Sequence, residues 1–329
     1  MILDRLEPSD RLAVLVIAGL AAMPTLTLEP FHLSFLMLLA MYAALSIGWN
    51  ILGGYAGYQS FGHVAFLGVG GYTSVWLLAD FGLEPYLTAP VGALVAGLVA
   101  LVVGYPCLRL KGPYFALVTL IVALAVEIAV SNLPGLDASA GIFLPSPLDS
   151  AVFSQVMLYE LMVAVLLVTI VAARFVERSR YGVGLYAIRE DEEVASTQGI
   201  DTTRLKLGAF VLSAALAGLA GGIYAWFLGY VTPAPMFDVR ISILVVLIAL
   251  LGGTRSWIGP FLGAVVLRAV DQALVLQFGG QPAQIMYGLL LVVVILYLPE
   301  GVLPYLQRTA RDVLPRRVRR LGYGGEADR

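Results

Sequence analysis

The sequence predicts an all-α polytopic membrane protein, on three observations. Of its 329 residues 60% are hydrophobic and 13% charged, with a mean hydropathy of +0.89, far outside ordinary globular domains. The apolar residues recur in stretches of about twenty, the length that crosses a hydrocarbon core of about 30 Å as a helix. Runs such as LLLVVVILYL (289–298) lack the apolar–polar alternation of a barrel strand. In lipid the backbone must satisfy its own hydrogen bonds, so these stretches are helices.

Ten membrane segments follow in order: 12–28, 33–53, 61–79, 87–108, 114–132, 155–174, 207–230, 241–252, 257–277 and 284–299. The first follows MILDRLEPSDR, which lacks the positive charge of a signal peptide, so an uncleaved span is expected. A single cysteine, Cys107, excludes an internal disulfide and reads as a small buried helix residue. With no low-complexity tract and no soluble insertion, residues 1–329 form a single membrane domain.

Charge fixes the orientation. The N-terminus, the turns at 54–60, 109–113, 175–206 and 253–256, and the tail from 300 fall on one side. Counting Arg174 at the adjoining end of the 155–174 span, they carry eighteen of the twenty Lys and Arg residues, leaving only Arg240 and Arg268 elsewhere. Basic residues resist translocation, so this side is cytoplasmic, with both termini inside. The longest external segment is 133–154, rich in Pro, Gly, Ser and Asp; the longest internal one is 175–206, dense in charge.

Two glycine-rich interruptions are candidate helix breaks or parts of a translocation path. LGGYAGYQSFGH (52–63) holds Gly53, Gly54, Gln59, Ser60 and His63 just after Asn50. LGGTRSWIGPFLG (251–263) holds Gly252, Gly253 and Ser256. Helix-breaking residues beside polar groups are tolerated at membrane depth where protein or a watery cavity receives the freed backbone, and such breaks often frame transport sites. The plainer reading is two ordinary turns. Small residues also form stripes, Ala214–Gly218–Gly222 and Ala217–Gly221–Ala225, on which another helix can pack closely, as a static or a sliding interface.

Ionisable residues within the spans are few: His63, Glu127, Glu160, Arg268 and Asp271. Arg268 and Asp271, three apart, can neutralise each other on one helix face. His63 reads as a hydrogen-bonded core residue, and with His32 the only other histidine no metal site is expected. A proton-coupled carrier would want more carboxylates at the midplane. No catalytic constellation is visible. The two lysines, Lys111 and Lys206, are followed by Gly and Leu, so no phosphate loop of the Gly-x4-Gly-Lys-Ser/Thr type exists.

AIREDEEVASTQGIDTTRLKLGAF (187–210) reads as a short cytoplasmic helix ending at Gly199, followed by Asp201 as cap of the next span. The five consecutive charges from Arg189 through Glu190 and Asp191 to Glu193 cannot enter lipid, and they suit a solvated face or a partner's groove. Glu193-Val-Ala195, three residues, then Gly199 resembles the first half of the EAA-type loop of ABC importer permeases, without its later Ile-x-Leu-Pro portion.

WNILGGYAGYQSFGHVAFLGVGGYTS (49–74), LRLKGPYFALVTL (108–120), AFVLSAALAGLAGGIYA (209–225), ALLGGTRSWIGPFLGA (249–264) and LYLPEGVLP (296–304) follow in order. Together they resemble the M-type permease of branched-chain amino-acid ABC importers over most of the chain. The external loop departs, carrying LPGLDASAGIF where that family commonly has a Gly-rich, Asp-Gly turn. The resemblance implies a bacterial inner-membrane subunit without its own ATPase site, importing leucine, isoleucine or valine. It implies a coupling helix carrying Arg189, Glu190, Asp191, Glu193, Ala195 and Gly199. It also implies a second, H-type permease, two ATP-binding subunits that hold ATP and Mg, and a periplasmic solute-binding protein, with no cofactor in this chain and no nucleic-acid partner. The alternatives are a related permease for urea or short amides, a stand-alone secondary transporter and, less favoured, a membrane-embedded enzyme.

Overall fold

A computed structural model describes residues 29–133, 141–145 and 151–279, with a few isolated positions elsewhere. The expected spans at 12–28 and 284–299 and both termini lie outside the described residues. Eight helices in the described part are long and apolar enough to cross a membrane, and they correspond one for one to the remaining eight expected spans.

The helices are α1 (Pro30–Gly53), α2 (His63–Phe81), α3 (Pro85–Cys107), α4 (Pro113–Ser131), α5 (Ala151–Arg178), α6 (Arg180–Glu190), α7 (Glu192–Thr197), α8 (Thr202–Leu228), α9 (Pro233–Met236), α10 (Val239–Gly252) and α11 (Ile258–Phe278). Proline opens α1, α3 and α4, where the missing N–H is no loss. Ser179, Asp191, Asp201 and Asp238 cap α6, α7, α8 and α10 by accepting backbone N–H groups.

The expected single internal helix ending at Gly199 is instead two helices. Asp191 adopts extended backbone (φ −159°) between them and turns its carboxylate onto the Glu193 and Val194 amides. An aspartate that caps competes with continuing the helix, which is why the charge run splits there. The surrounding loop is also shorter than 175–206, because α5 runs through Arg178 and α8 starts at Thr202. Gly199, at φ +83°, makes the left-handed turn that α7 needs to end, and Asp201 caps α8 as its position suggests.

The bundle is organised around α8, which packs against α1, α2, α3 and α5. Its small-residue stripes are the reason. A Cβ on Gly218 would lie 2.4 Å from Ala96 Cβ on α3, one on Gly222 would lie 2.7 Å from Ala89 Cα, and one on Gly221 would lie 1.9 Å from the Leu67 carbonyl oxygen on α2. Only glycine permits these approaches. α1 is the most buried span, with 83% of its apolar stretch enclosed, while α4 and α11 are peripheral at 22%. On α4 the exposed Tyr114, Leu117, Ile121, Leu124 and Ile128 repeat at helical spacing, the outward stripe a lipid-facing helix presents.

α10 has fourteen residues and spans about 21 Å, short of the ~30 Å core; the one-turn α9 precedes it. α11, with twenty-one residues, is of full length. A two-stranded antiparallel ribbon, β1 (Ile142–Phe143) with β2 (Tyr230–Val231), ties the 133–154 segment to the end of α8. Opposite it, the turns carrying the basic residues converge on one another. These two ends are called the ribbon end and the basic end below.

Candidate functional site

At the basic end, α6 and α7 are fastened to both glycine breaks. The first break runs between Gly53 and His63. Its freed backbone is received by neighbouring helices: the Ser60 carbonyl accepts from Trp49 Nε1 (2.7 Å), the Phe61 amide donates to Thr119 Oγ1 (3.1 Å) and the Val64 amide to Ser242 Oγ (2.9 Å). The second break follows α10 at Gly253 (φ +101°). There α10 and α11 close to backbone contact, since a Cβ on Gly252 would lie 1.8 Å from the Gly259 carbonyl oxygen.

The breaks also touch each other: Asn50 Nδ2 donates to the Ser256 carbonyl at 3.4 Å. α6 spans the two. Arg189 donates to the Gly54 carbonyl (2.5 Å) in the first break, and Tyr186 Oη donates to the Arg255 carbonyl (3.0 Å) in the second. Gly57, at φ +77°, lets the chain pass beneath Arg189, whose Cγ would lie 3.3 Å from an added Cβ.

The tightest cluster joins α7 to the bundle. Lys206 Nζ, at the start of α8, donates to Glu192 Oε1 (2.5 Å), to Tyr58 Oη (2.9 Å) and to the Leu108 carbonyl (3.4 Å). Tyr58 Oη in turn donates to Glu192 Oε2 (2.5 Å), closing a ring of three side chains. The lysine is 4% exposed and the glutamate 18%. Burial by itself would raise the Glu192 carboxyl, but the hydrogen bonds from Lys206 and Tyr58 outweigh it and hold the group below the usual carboxylate range. Removing one partner from such a pair leaves an uncompensated buried charge, at a cost of about 3–5 kcal/mol. By contrast Lys111–Glu193 (3.3 Å) is largely exposed and adds little.

The candidate residues therefore divide. Arg189 reaches back to the first break, Asp191 caps α7, Ala195 is the buried residue of α7 itself, and Glu190, Glu193 and Gly199 lie on the outer surface. Asn50, Gly53, Gly54, Ser60, Gly252, Gly253 and Ser256 build the two breaks and their contact. Ser60 is fully buried, with its hydroxyl accepting from the Gly62 amide. Gln59 is exposed beside an open groove of about 580 Å³ between Gly57–Phe61 and the start of α4. His63 lies inside the bundle, 2.6 Å from Ser213 Oγ, which itself donates to the Gly48 carbonyl. Because that hydroxyl proton is already committed, His63 donates from Nε2. Arg268 and Asp271 pair at 2.6 Å, as their spacing suggests.

Sequence reasoning missed Glu192, Tyr58 and Lys206 as a unit. Glu192 was hidden within the charge run, and its partners stand 14 and 134 positions away. A lysine followed by an apolar helix was the one available signal, since a basic group at the start of a buried helix needs a counter-charge.

Comparison with known proteins shows the family. Residues 31–298 match the family described as the branched-chain amino acid transport system / permease component. The high-affinity branched-chain amino acid transport system permease protein LivM of Salmonella typhimurium is 30% identical over 295 residues, covering 80% of this chain and 68% of that protein. Its Escherichia coli K12 counterpart is 29% identical over the same shares. The probable LivH permease of Methanocaldococcus jannaschii is 26% identical, covering 72% of this chain and 78% of its own length. No solved structure gives a significant match. With a family match over residues 31–298 and a LivM relative 30% identical over 80% of this chain, the chain belongs to the branched-chain amino-acid transport permease family and is LivM-like.

Proposed function

We propose that this chain is one permease subunit of an ATP-driven bacterial inner-membrane importer for leucine, isoleucine and valine, worked by separate ATPase subunits through α6 and α7. The observation that carries this reading is the fastening of α6 to both helix breaks, through Arg189 to Gly54 and Tyr186 to Arg255. A segment exposed on its outer side at Glu190, Glu193 and Val194, yet bonded inward to two breaks, is placed to receive a push and pass it on. The excess of basic residues at this end supports a cytoplasmic position. The partners under this reading are a second, H-type permease, two subunits that bind ATP and Mg, and a periplasmic solute-binding protein.

In this mechanism the chain contributes motion rather than chemistry. Closure of the ATPase pair displaces α7, and the bonded breaks let α1, α2, α10 and α11 reorient as short rigid pieces about Gly54–Gly62 and Gly253–Trp257. Solute selection rests largely with the binding protein. The relatives' names favour branched-chain amino acids over urea or short amides.

The test is to purify the chain with its partner subunits, reconstitute the complex, and measure ATP-driven uptake of leucine, isoleucine, valine, urea and acetamide. Uptake of the three amino acids that needs both ATP and the binding protein is expected. Preference for urea or amides would replace the substrate assignment. Uptake by this chain alone on an ion gradient would overturn the ATP-driven reading.

A further inference from the structure

We propose that Tyr58, Glu192 and Lys206 form the latch through which displacement of α7 reaches the membrane helices, acting as positioning residues for transport; this rests on α7 being the ATPase contact. α7 is six residues long, too short to hold a fixed place by its own backbone bonds. Its exposed link, Lys111–Glu193, lies between side chains 60% and 86% exposed and is screened by water and salt. The Glu192 ring is the buried attachment.

That ring has the geometry of a rigid joint. Each of its three side chains bonds to the other two, and Lys206 Nζ also stands 4.5 Å from the Tyr58 ring centroid. Its members come from three places: the first glycine break, α7 and the start of α8. A fourth, the end of α3, joins through the Leu108 carbonyl. On the other side of Gly57, Arg189 ties the end of α6 to Gly54. The 54–62 break is thus gripped at its start, Gly54, and at its middle, Tyr58, by the α6–α7 segment, and α8, the central helix, is gripped with it. A push on α7 cannot be absorbed locally. It moves the break and the foot of α8 together.

Stability alone does not account for this arrangement. A buried ion pair adds little over an apolar pair of similar shape, so a core optimised only for stability would not need one here. What charge adds is direction: the bonds hold α7 at one angle to α8, where apolar packing would let it roll.

The experiment uses the whole reconstituted complex, measuring leucine uptake and ATP hydrolysis on the same proteoliposomes. Tyr58→Phe removes one hydroxyl. The double variant Lys206→Met, Glu192→Gln removes both charges while keeping shape, which avoids stranding either one. Both are expected to assemble and hydrolyse ATP, with leucine moved per ATP falling about ten-fold in the double variant and about three-fold in Tyr58→Phe. Arg204→Ala, which removes an exposed ion pair from the same turn of α8, is expected to leave that ratio unchanged.

An unchanged ratio in the double variant overturns the latch. So does a fall of uptake and hydrolysis in equal proportion, tracking the amount of folded complex, because that is the mark of a structural role. Glu193→Ala, on the outer face of α7, separates this failure from that of the wider reading. If it weakens ATPase-subunit binding while the double variant keeps its ratio, the latch alone is wrong. If it leaves that binding intact, α7 is not the contact and both fall.

Discussion

Gly221 and Gly97 allow one substitution to be made in two environments that the packing of α8 distinguishes. In Gly221→Ala the new methyl would lie 1.9 Å from the Leu67 carbonyl oxygen of α2. A carbon and a carbonyl oxygen approach to about 3.3 Å even in weak C–H···O contacts, so the two backbones would have to part by roughly 1.4 Å. The obstacle is main chain, and no side chain can turn aside to relieve it. Overpacking of this kind costs about 1–3 kcal/mol, against a gain of up to about 1 kcal/mol from alanine's higher helix propensity. In Gly97→Ala the nearest atom is Ala215 Cβ at 3.5 Å, an ordinary contact, so only the propensity gain remains. Thermal denaturation of the purified protein in detergent, followed by loss of the monodisperse peak in size-exclusion chromatography, is expected to show opposite signs: Gly221→Ala melting lower than the parent, Gly97→Ala at or above it. Equal shifts, or the reverse order, would refute the close approach of α8 to α2.

Three further outcomes are expected. Because the Glu192 carboxyl is held below the usual range, its contribution is complete above the unfolded value of about 4.3 and is lost as pH falls through the lower folded value; the melting difference between parent and Glu192→Gln should be flat from about pH 6 to 8 and shrink below about pH 4. Asp271→Leu leaves Arg268 without its 2.6 Å partner inside a span, costing about 2.5–3.5 kcal/mol, so its steady-state membrane level should fall and recover in Arg268→Leu, Asp271→Leu. Phe143→Ala removes the ring that stands 4.4 Å from Tyr230, worth about 0.5–1.5 kcal/mol, and should speed hydrogen exchange at the Leu144 amide, which donates to the Gly229 carbonyl at 2.8 Å.

Much of this fold is legible in the sequence because lipid leaves the chain few choices. Apolar runs must be helices, so the eight described spans fall where hydropathy places them, and the glycine stripes of α8 mark where other helices approach. The two breaks were legible too, since Gly53–Gly54 and Gly252–Gly253 interrupt apolar runs beside polar residues. That Asn50 would bond to Ser256, 206 positions away, was not. Local pattern carries no information about such pairs. The charged run from Arg189 to Glu193 illustrates the limit: it reads as one solvated face, yet Arg189 and Glu192 point inward to Gly54 and Lys206 while Glu190 and Glu193 point out. Helical phase changes at Asp191, so a single periodicity could not sort them.

The central claim is that the outer face of α7 lies in the cytosol and is covered by an ATPase subunit. A Glu193→Cys variant tests it directly, since the natural Cys107 is buried. A membrane-impermeant maleimide should label the new thiol in inside-out vesicles and not in intact spheroplasts, and adding the ATPase subunits should protect it. Labelling from outside, or labelling that the ATPase subunits leave unchanged, would contradict the claim.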